Sequence, residues 1–165
     1  MSDEQWEQIP ATEKNNYLKF HELAYKEDYA HALKNSIDFP RWSIISGYYC
    51  MHDLTKLFLG KKFNIKISGE HIHVKTIHAL ETLIKDEQIK NKTIELLKKA
   101  ENLYHSAERL KEKTIPLMLK TGKQERRKAQ YYTQEFPQAN SEKAEYFLKT
   151  IVEPYKKIIE ELLKK

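Results

Sequence analysis

The segment from Pro40 to Leu59 most constrains how this chain folds, because almost no polar face is left along it. A proline is tolerated in the first turn of a helix, and Gly60 predicts the end of this one. A helix that is apolar on nearly every side must be surrounded by other elements. We therefore predict the central helix of a bundle. Its apolar residues are Trp42, Ile44, Ile45, Tyr48, Tyr49, Cys50, Met51, Leu54, Leu57, Phe58 and Leu59.

Helical spacing of apolar residues recurs on both sides of this segment, and no alternating run is long enough to predict a strand. With only 4 Gly and 5 Pro in 165 residues, the chain offers few turn signals. We predict an all-α fold, an antiparallel bundle of five to six helices. Besides the central helix, the predicted helices span about 12–35, 68–85, 86–113, 124–136 and 140–165, with Pro116 ending or interrupting the fourth and Pro154 kinking the last.

The length fits a single domain over residues 1–165, with a frayed N-terminus over 1–11. The start of the chain is acidic and polar and shows no secretory signal, and no apolar run approaches the roughly 18 residues that a membrane span needs. A lone cysteine, Cys50, suits a reducing compartment. We expect a cytoplasmic protein without a membrane partner. The net charge of +5 permits an anionic partner without requiring one.

Asp53 lies inside the most apolar helix, where a carboxylate is rarely tolerated without a partner. One interpretation is an ion pair with Lys56, one turn further on, or an exposed helix edge. The other is that Asp53 orients a cation from another helix at a functional groove.

A basic stretch followed by aromatic residues is the second feature. Such residues neutralise phosphate and stack on bases, which favours a nucleic acid or nucleotide site. The alternative is a solvated basic turn whose tyrosines pack inward. The residues are Lys120, Lys123, Arg126, Arg127, Lys128, Tyr131, Tyr132 and Phe136.

Residues 43–59, Ser-Ile-Ile-Ser-Gly-Tyr-Tyr-Cys-Met-His-Asp-Leu-Thr-Lys-Leu-Phe-Leu, resemble the long central helix of HEPN domains. In that family, small and aromatic residues precede an acidic residue and then a lysine. A loop and a His-led helix follow, as in residues 71–77, and residues 126–131 are similar to the Arg-x-x-Ala-x-Tyr stretch of one HEPN branch. The likeness covers roughly residues 36–163.

The resemblance implies a helical, often dimeric domain. Many HEPN proteins are metal-independent ribonucleases of toxin–antitoxin or defence systems, often encoded beside a small nucleotidyltransferase. Active members carry an arginine followed after four to six residues by a histidine, which acts as general acid or base. The resemblance therefore implies RNA or a nucleotide as ligand, a homodimer, and a nucleotidyltransferase as partner.

The histidine of that motif is missing here. Tyr131, Tyr132 and Thr133 stand at the expected spacing from Arg126, and a tyrosine, with a pKa near 10, is a poor base at pH 7. We therefore predict a catalytically weakened binding protein with Arg126, Asp53 and Tyr131 at the catalytic positions and with Asp53 paired to Arg126 or Arg127. Further predicted contacts to the substrate are Arg127, Lys123, Lys128, Tyr132, His52 and His71.

Two alternatives stay open. A displaced base, His52 or His71, would make the chain an active metal-independent RNA endonuclease, and a purely solubilising basic cluster would make it a helical adaptor. We expect no metal, since Glu70-x-x-His73 occurs only once and Cys50 reads as a core residue. We expect no cofactor, because no glycine-rich phosphate loop or dinucleotide fingerprint is present.

Overall fold

The computed structural model describes residues 6–119 and 140–165, and the side chains of 6–108 and 140–165. These residues are mostly helical, which confirms the all-α class. No helix among them is both long enough and apolar enough to cross a bilayer. The elements are β1 (Glu7–Gln8), α1 (Ala11–Asn35), α2 (Pro40–Phe63), β2 (Ile65–Lys66), α3 (Ile72–Leu83), α4 (Glu87–Leu119), α5 (Ser141–Phe147), a π-helical turn (Leu148–Val152) and α6 (Glu153–Lys164).

Helix α2 is the centre of the fold, as its composition predicts. It packs against α1 along its length and also contacts α4, α5 and α6. Three large apolar side chains of α1 and α2 are exposed, namely Phe20, Trp42 and Tyr49. The side chains of α2 that are almost fully buried include Ile44, Tyr48, Met51, Leu54 and Leu59.

The end of α2 differs from the prediction, because the helix continues through Gly60 to Phe63. The helix ends instead at Asn64, which adopts the left-handed conformation with φ 58°. Gly60 serves close packing: a Cβ there would lie 3.0–3.1 Å from side-chain atoms of Tyr17, Ile9 and Leu18. A glycine is therefore needed at position 60 because neighbouring side chains pack closely there, and not because the chain turns.

The N-terminal segment also differs from the frayed prediction. Strand β1 pairs with β2 in antiparallel register, with Glu7 opposite Lys66 and Gln8 opposite Ile65. Ile9 is buried and its N–H donates to the carbonyl oxygen of Asn64. Burial of Ile9 against the end of α2 anchors this part of the chain. Because β2 occupies the connection after α2, α3 begins at residue 72 and not at 68.

The C-terminal part of the bundle begins with a capped helix. The Asn140 side chain accepts a hydrogen bond of 2.8 Å from the Lys143 N–H, so the predicted cap of α5 is confirmed. Pro154 lies in the first turn of α6, directly after the π-helical turn. A proline lacks the N–H that a continuous α-helix needs at that place, which accounts for the widened turn. Helix α4 differs from its prediction by continuing beyond Pro116.

Candidate functional site

Asp53 has a partner on α1. Its Oδ1 lies 2.6 Å from Nδ1 of His21, so the imidazole N–H donates to the carboxylate. Both side chains are largely buried, at 9% exposure for His21 and 16% for Asp53. The acid of the apolar helix is therefore compensated by a histidine, and Lys56 is not its ion-pair partner.

Asp28, two turns beyond His21 on α1, completes this group, which we call the carboxyl–histidine cluster. The pKa of Asp28 is raised from 3.8 to about 6, chiefly by burial and further by the nearby Asp53 carboxylate, which accepts a hydrogen bond from the protonated form. Two carboxyl groups this close share a proton more easily than they carry two negative charges. Asp28 therefore holds its proton to a higher pH than an ordinary aspartate does.

Tyr17 packs edge-on against the His21 ring, with ring centroids 4.4 Å apart. Its hydroxyl is buried and has no hydrogen-bond partner among the described residues. Burial, with the negative charge of Asp53 nearby, raises the pKa of Tyr17 to about 12. The phenol therefore stays neutral at pH 7, and its ring packs against the His21 side of the cluster.

The sequence predicted a different partner for Asp53. Arg126 and Arg127 lie outside the described residues, so that pairing stays a prediction. The same holds for Tyr131, Tyr132, Lys123 and Lys128, which were predicted to contact substrate.

A second polar group lies where α2, α3 and α4 meet. We call it the tyrosine–histidine cluster. It consists of Tyr48, Tyr49 and His52 on α2, His73 on α3, and Glu101, Tyr104 and His105 on α4.

One nitrogen of His73 joins the buried members of this cluster. His73 Nδ1 lies 2.8 Å from the Tyr48 hydroxyl and 3.2 Å from His52 Nε2. Burial lowers the pKa of His52 to about 3, with His73 adding to the effect. His52 is therefore neutral, and His73 Nδ1 forms hydrogen bonds with the Tyr48 hydroxyl and with His52 in donor and acceptor roles that the ring tautomers set.

The tyrosines form the aromatic wall of the cluster. Tyr48 and Tyr104 stack with centroids 4.2 Å apart and planes inclined by 20°. The hydroxyls of Tyr49 and Tyr104 lie 3.3 Å apart. Burial raises the pKa of both Tyr48 and Tyr104, so these hydroxyls stay protonated at neutral pH.

The outer side of the cluster is open to solvent. Tyr49 is 45% exposed, and His105, also exposed, lies 3.4 Å from the Glu101 carboxylate. The rings of His73 and His105 are 6.4 Å apart between centroids. A ligand approaching this face therefore meets an aromatic edge and two imidazoles.

The structure brings His52 to His73 and not to His71. His71 is exposed, in the left-handed conformation just before α3, whereas His73, the second residue of α3, points into the cluster. For the α4 members of the cluster the sequence carried a signal, because Glu101 and His105 stand four residues apart and so share a helix face. It carried none for His73, since the inward face of a short helix depends on where that helix begins.

No group of three or more histidine, cysteine, aspartate or glutamate side chains among the described residues is arranged to hold a metal ion. Comparisons of the chain with protein-family models, with curated proteins and with solved structures gave no match in any of the three.

Proposed function

We propose that the chain binds single-stranded RNA or a nucleotide at the tyrosine–histidine cluster, assisted by the basic segment 120–128. The observation that carries this proposal is the exposed ring of Tyr49 beside the half-buried ring of Tyr104 and the imidazoles of His73 and His105. Aromatic side chains offer stacking faces to any base, and imidazole N–H groups donate to phosphate oxygens.

Basic residues follow the cluster in the sequence. Arg109 follows His105 by one helical turn on α4, and the segment after α4 carries Lys123, Arg126 and Arg127. Lysine and arginine supply the phosphate contacts that release counterions. Affinity for RNA should therefore fall steeply as the salt concentration rises.

A binding assay tests the proposal. We expect Tyr49→Ala to weaken binding of a fluorescent single-stranded RNA by about tenfold, because one stacked base is lost. Tyr146→Ala is the matched control, since Tyr146 is a comparably exposed tyrosine on α5. Equal effects of the two variants, or an affinity that does not change with salt, would contradict binding at this surface.

A second function, metal-independent RNA cleavage, is favoured by the geometry of His52 and His73. In the tautomer that carries its proton on Nδ1, His73 keeps a basic Nε2. That nitrogen could remove the proton of a 2′-hydroxyl while His105 protonates the leaving 5′-oxygen. The 2′-oxygen then bonds to phosphorus as the 5′-oxygen leaves, giving a 2′,3′-cyclic phosphate.

The pH dependence of cleavage tests this second function. Burial lowers the pKa of His73 below its ordinary value of 6.5. The base is active when neutral, so cleavage in EDTA should be lost as the pH falls through a value below 6.5. His73→Gln should abolish cleavage, whereas His78→Gln on the same helix should not. Equal activity of both variants would remove the role of His73.

Three further proposals rest on the HEPN resemblance. It predicts that Arg126 contacts the scissile phosphate, that the chain forms a homodimer, and that a nucleotidyltransferase of a toxin–antitoxin or defence system is its partner. Arg126→Ala should then weaken RNA binding as strongly as Tyr49→Ala. Sedimentation of the purified chain as a monomer at micromolar concentration would contradict the homodimer.

A further inference from the structure

A groove of about 500 Å³ opens at one end of the bundle, where the ends of α2, α3 and α6 meet the beginning of α4. Pockets that bind small molecules have volumes of about 300–1,000 Å³ and are mainly apolar. The apolar side chains that line this one are Phe58, Phe63, Leu83, Ile84, Ile89 and Leu162.

The rim of the groove is positively charged. Lys62, Lys85 and Lys165 line it, and none of them lies within 4 Å of a carboxylate among the described residues. The one acidic side chain of the lining, Asp86, accepts a hydrogen bond of 3.0 Å at its Oδ1 from the Ile89 N–H, and its charge offsets one of the three lysines. The side chains of the lining therefore leave a net positive charge around an apolar floor.

We propose that this lysine-rimmed groove binds a free single-chain amphiphile with an anionic head group, such as a long-chain carboxylate. The apolar chain would lie against Phe58, Ile84 and Leu162, and the carboxylate would meet the ammonium groups at the rim. Lysine accommodates both parts, because its methylene stem covers apolar surface while its charge stays in water. The proposal is independent of RNA binding, which involves a different surface.

Calorimetric titration of the full chain with octanoate, decanoate and dodecanoate, each below its micelle concentration, tests the apolar part. Each additional buried methylene should strengthen binding about fourfold, so each step of two carbons should give about fifteenfold. Dodecanol tests the charge and should bind at least tenfold more weakly than dodecanoate. No saturable binding of dodecanoate, or equal binding of dodecanol, would overturn the proposal.

Charge-reversal variants locate the site. Lys62→Glu with Lys85→Glu should reduce dodecanoate affinity by at least tenfold. The matched control is Lys34→Glu with Lys61→Glu, which makes the same charge change in the last turns of α1 and α2 without touching the groove. Leu162→Glu, which places a carboxylate in the floor, is a second test if its melting curve shows a folded protein. Equal losses in the pair and its control would overturn the site, as would binding to anionic vesicles without binding of monomeric dodecanoate.

Discussion

At the scale of single residues, the carboxyl–histidine cluster couples protonation to stability through Asp28. The folded pKa of Asp28 is about 6, against 3.8 for an ordinary aspartate. The folded state therefore holds a proton that the unfolded state releases between these values, and the contribution of Asp28 to stability is lost as the pH rises through 6.

We expect Asp28→Asn to stabilise the protein at pH 7.5 relative to pH 4. The shift corresponds to about 3 kcal/mol in a fully buried site, and about 1 kcal/mol remains after allowance for the solvent exposure of Asp28. Urea unfolding of wild type and variant at both pH values measures the difference. The adjacent, exposed Glu27→Gln is the control, and an equal gain from that variant would show that the effect is not specific to Asp28.

His52 acts in the opposite direction. Its pKa falls to about 3 in the folded state, so the unfolded state binds a proton that the folded state does not between pH 6.5 and 3. Stability should be fully present above pH 6.5 and decrease by about 2–3 kcal/mol between pH 7.5 and 4.5. His52→Gln should remove that part of the pH dependence, as urea unfolding would measure. A variant with the same slope as wild type would show that His52 is not the titrating group.

The sequence predicted that some residues need a partner, but it did not predict which residues form the individual contacts. The need of Asp53 for a partner follows from its apolar surroundings, and the structure supplies one. Its identity, His21, depends on how α1 lies against α2, which the local pattern does not encode. His21 and Asp28 stand seven residues apart on one face of α1, so a search for polar residues sharing a face could have found them.

At the scale of elements, α2 makes a close helix contact at Gly47. A Cβ at this position would lie 2.8 Å from Cε1 of Phe147, 3.1 Å from Val152 and 3.4 Å from Leu148. The glycine therefore lets α2 approach the end of α5 and the π-helical turn.

We expect Gly47→Ala to lower the free energy of unfolding by up to about 2 kcal/mol. Alanine improves helix propensity by about 1 kcal/mol, but overpacking costs typically 1–3 kcal/mol. Gly60→Ala should be less harmful, because its closest contact is 3.0 Å. Thermal and urea unfolding of both variants compares them, and a Gly47→Ala protein more stable than wild type would contradict close packing at this site.

Helix positions were more predictable than helix ends. The pattern places α1 and α2 within a few residues of their observed starts, because apolar spacing and the position of Pro40 are local signals. The end of α2 was missed because Gly60 serves packing against α1. The strand pair was missed because two residues on each side are too few to show an alternating pattern.

At the scale of the whole molecule, the fold class follows from composition, whereas the tyrosine–histidine cluster does not. A helix with no polar face requires a surrounding bundle, and this requirement does not depend on the lengths or conformations of the loops. The cluster needs three helices to meet at one place, so His73 and Tyr104 become neighbours only through tertiary structure. The basic segment, by contrast, can be recognised from the sequence alone. It lies outside the described residues.

Ultraviolet cross-linking of bound single-stranded RNA, followed by mass spectrometry of the peptides, tests most directly whether this surface and the basic segment bind RNA together. We predict cross-links at Tyr49 or Tyr104 and within residues 120–132, with both sets decreasing together at high salt. Cross-links confined to α1 or to the lysine-rimmed groove, with none at these positions, would contradict RNA binding at the tyrosine–histidine cluster.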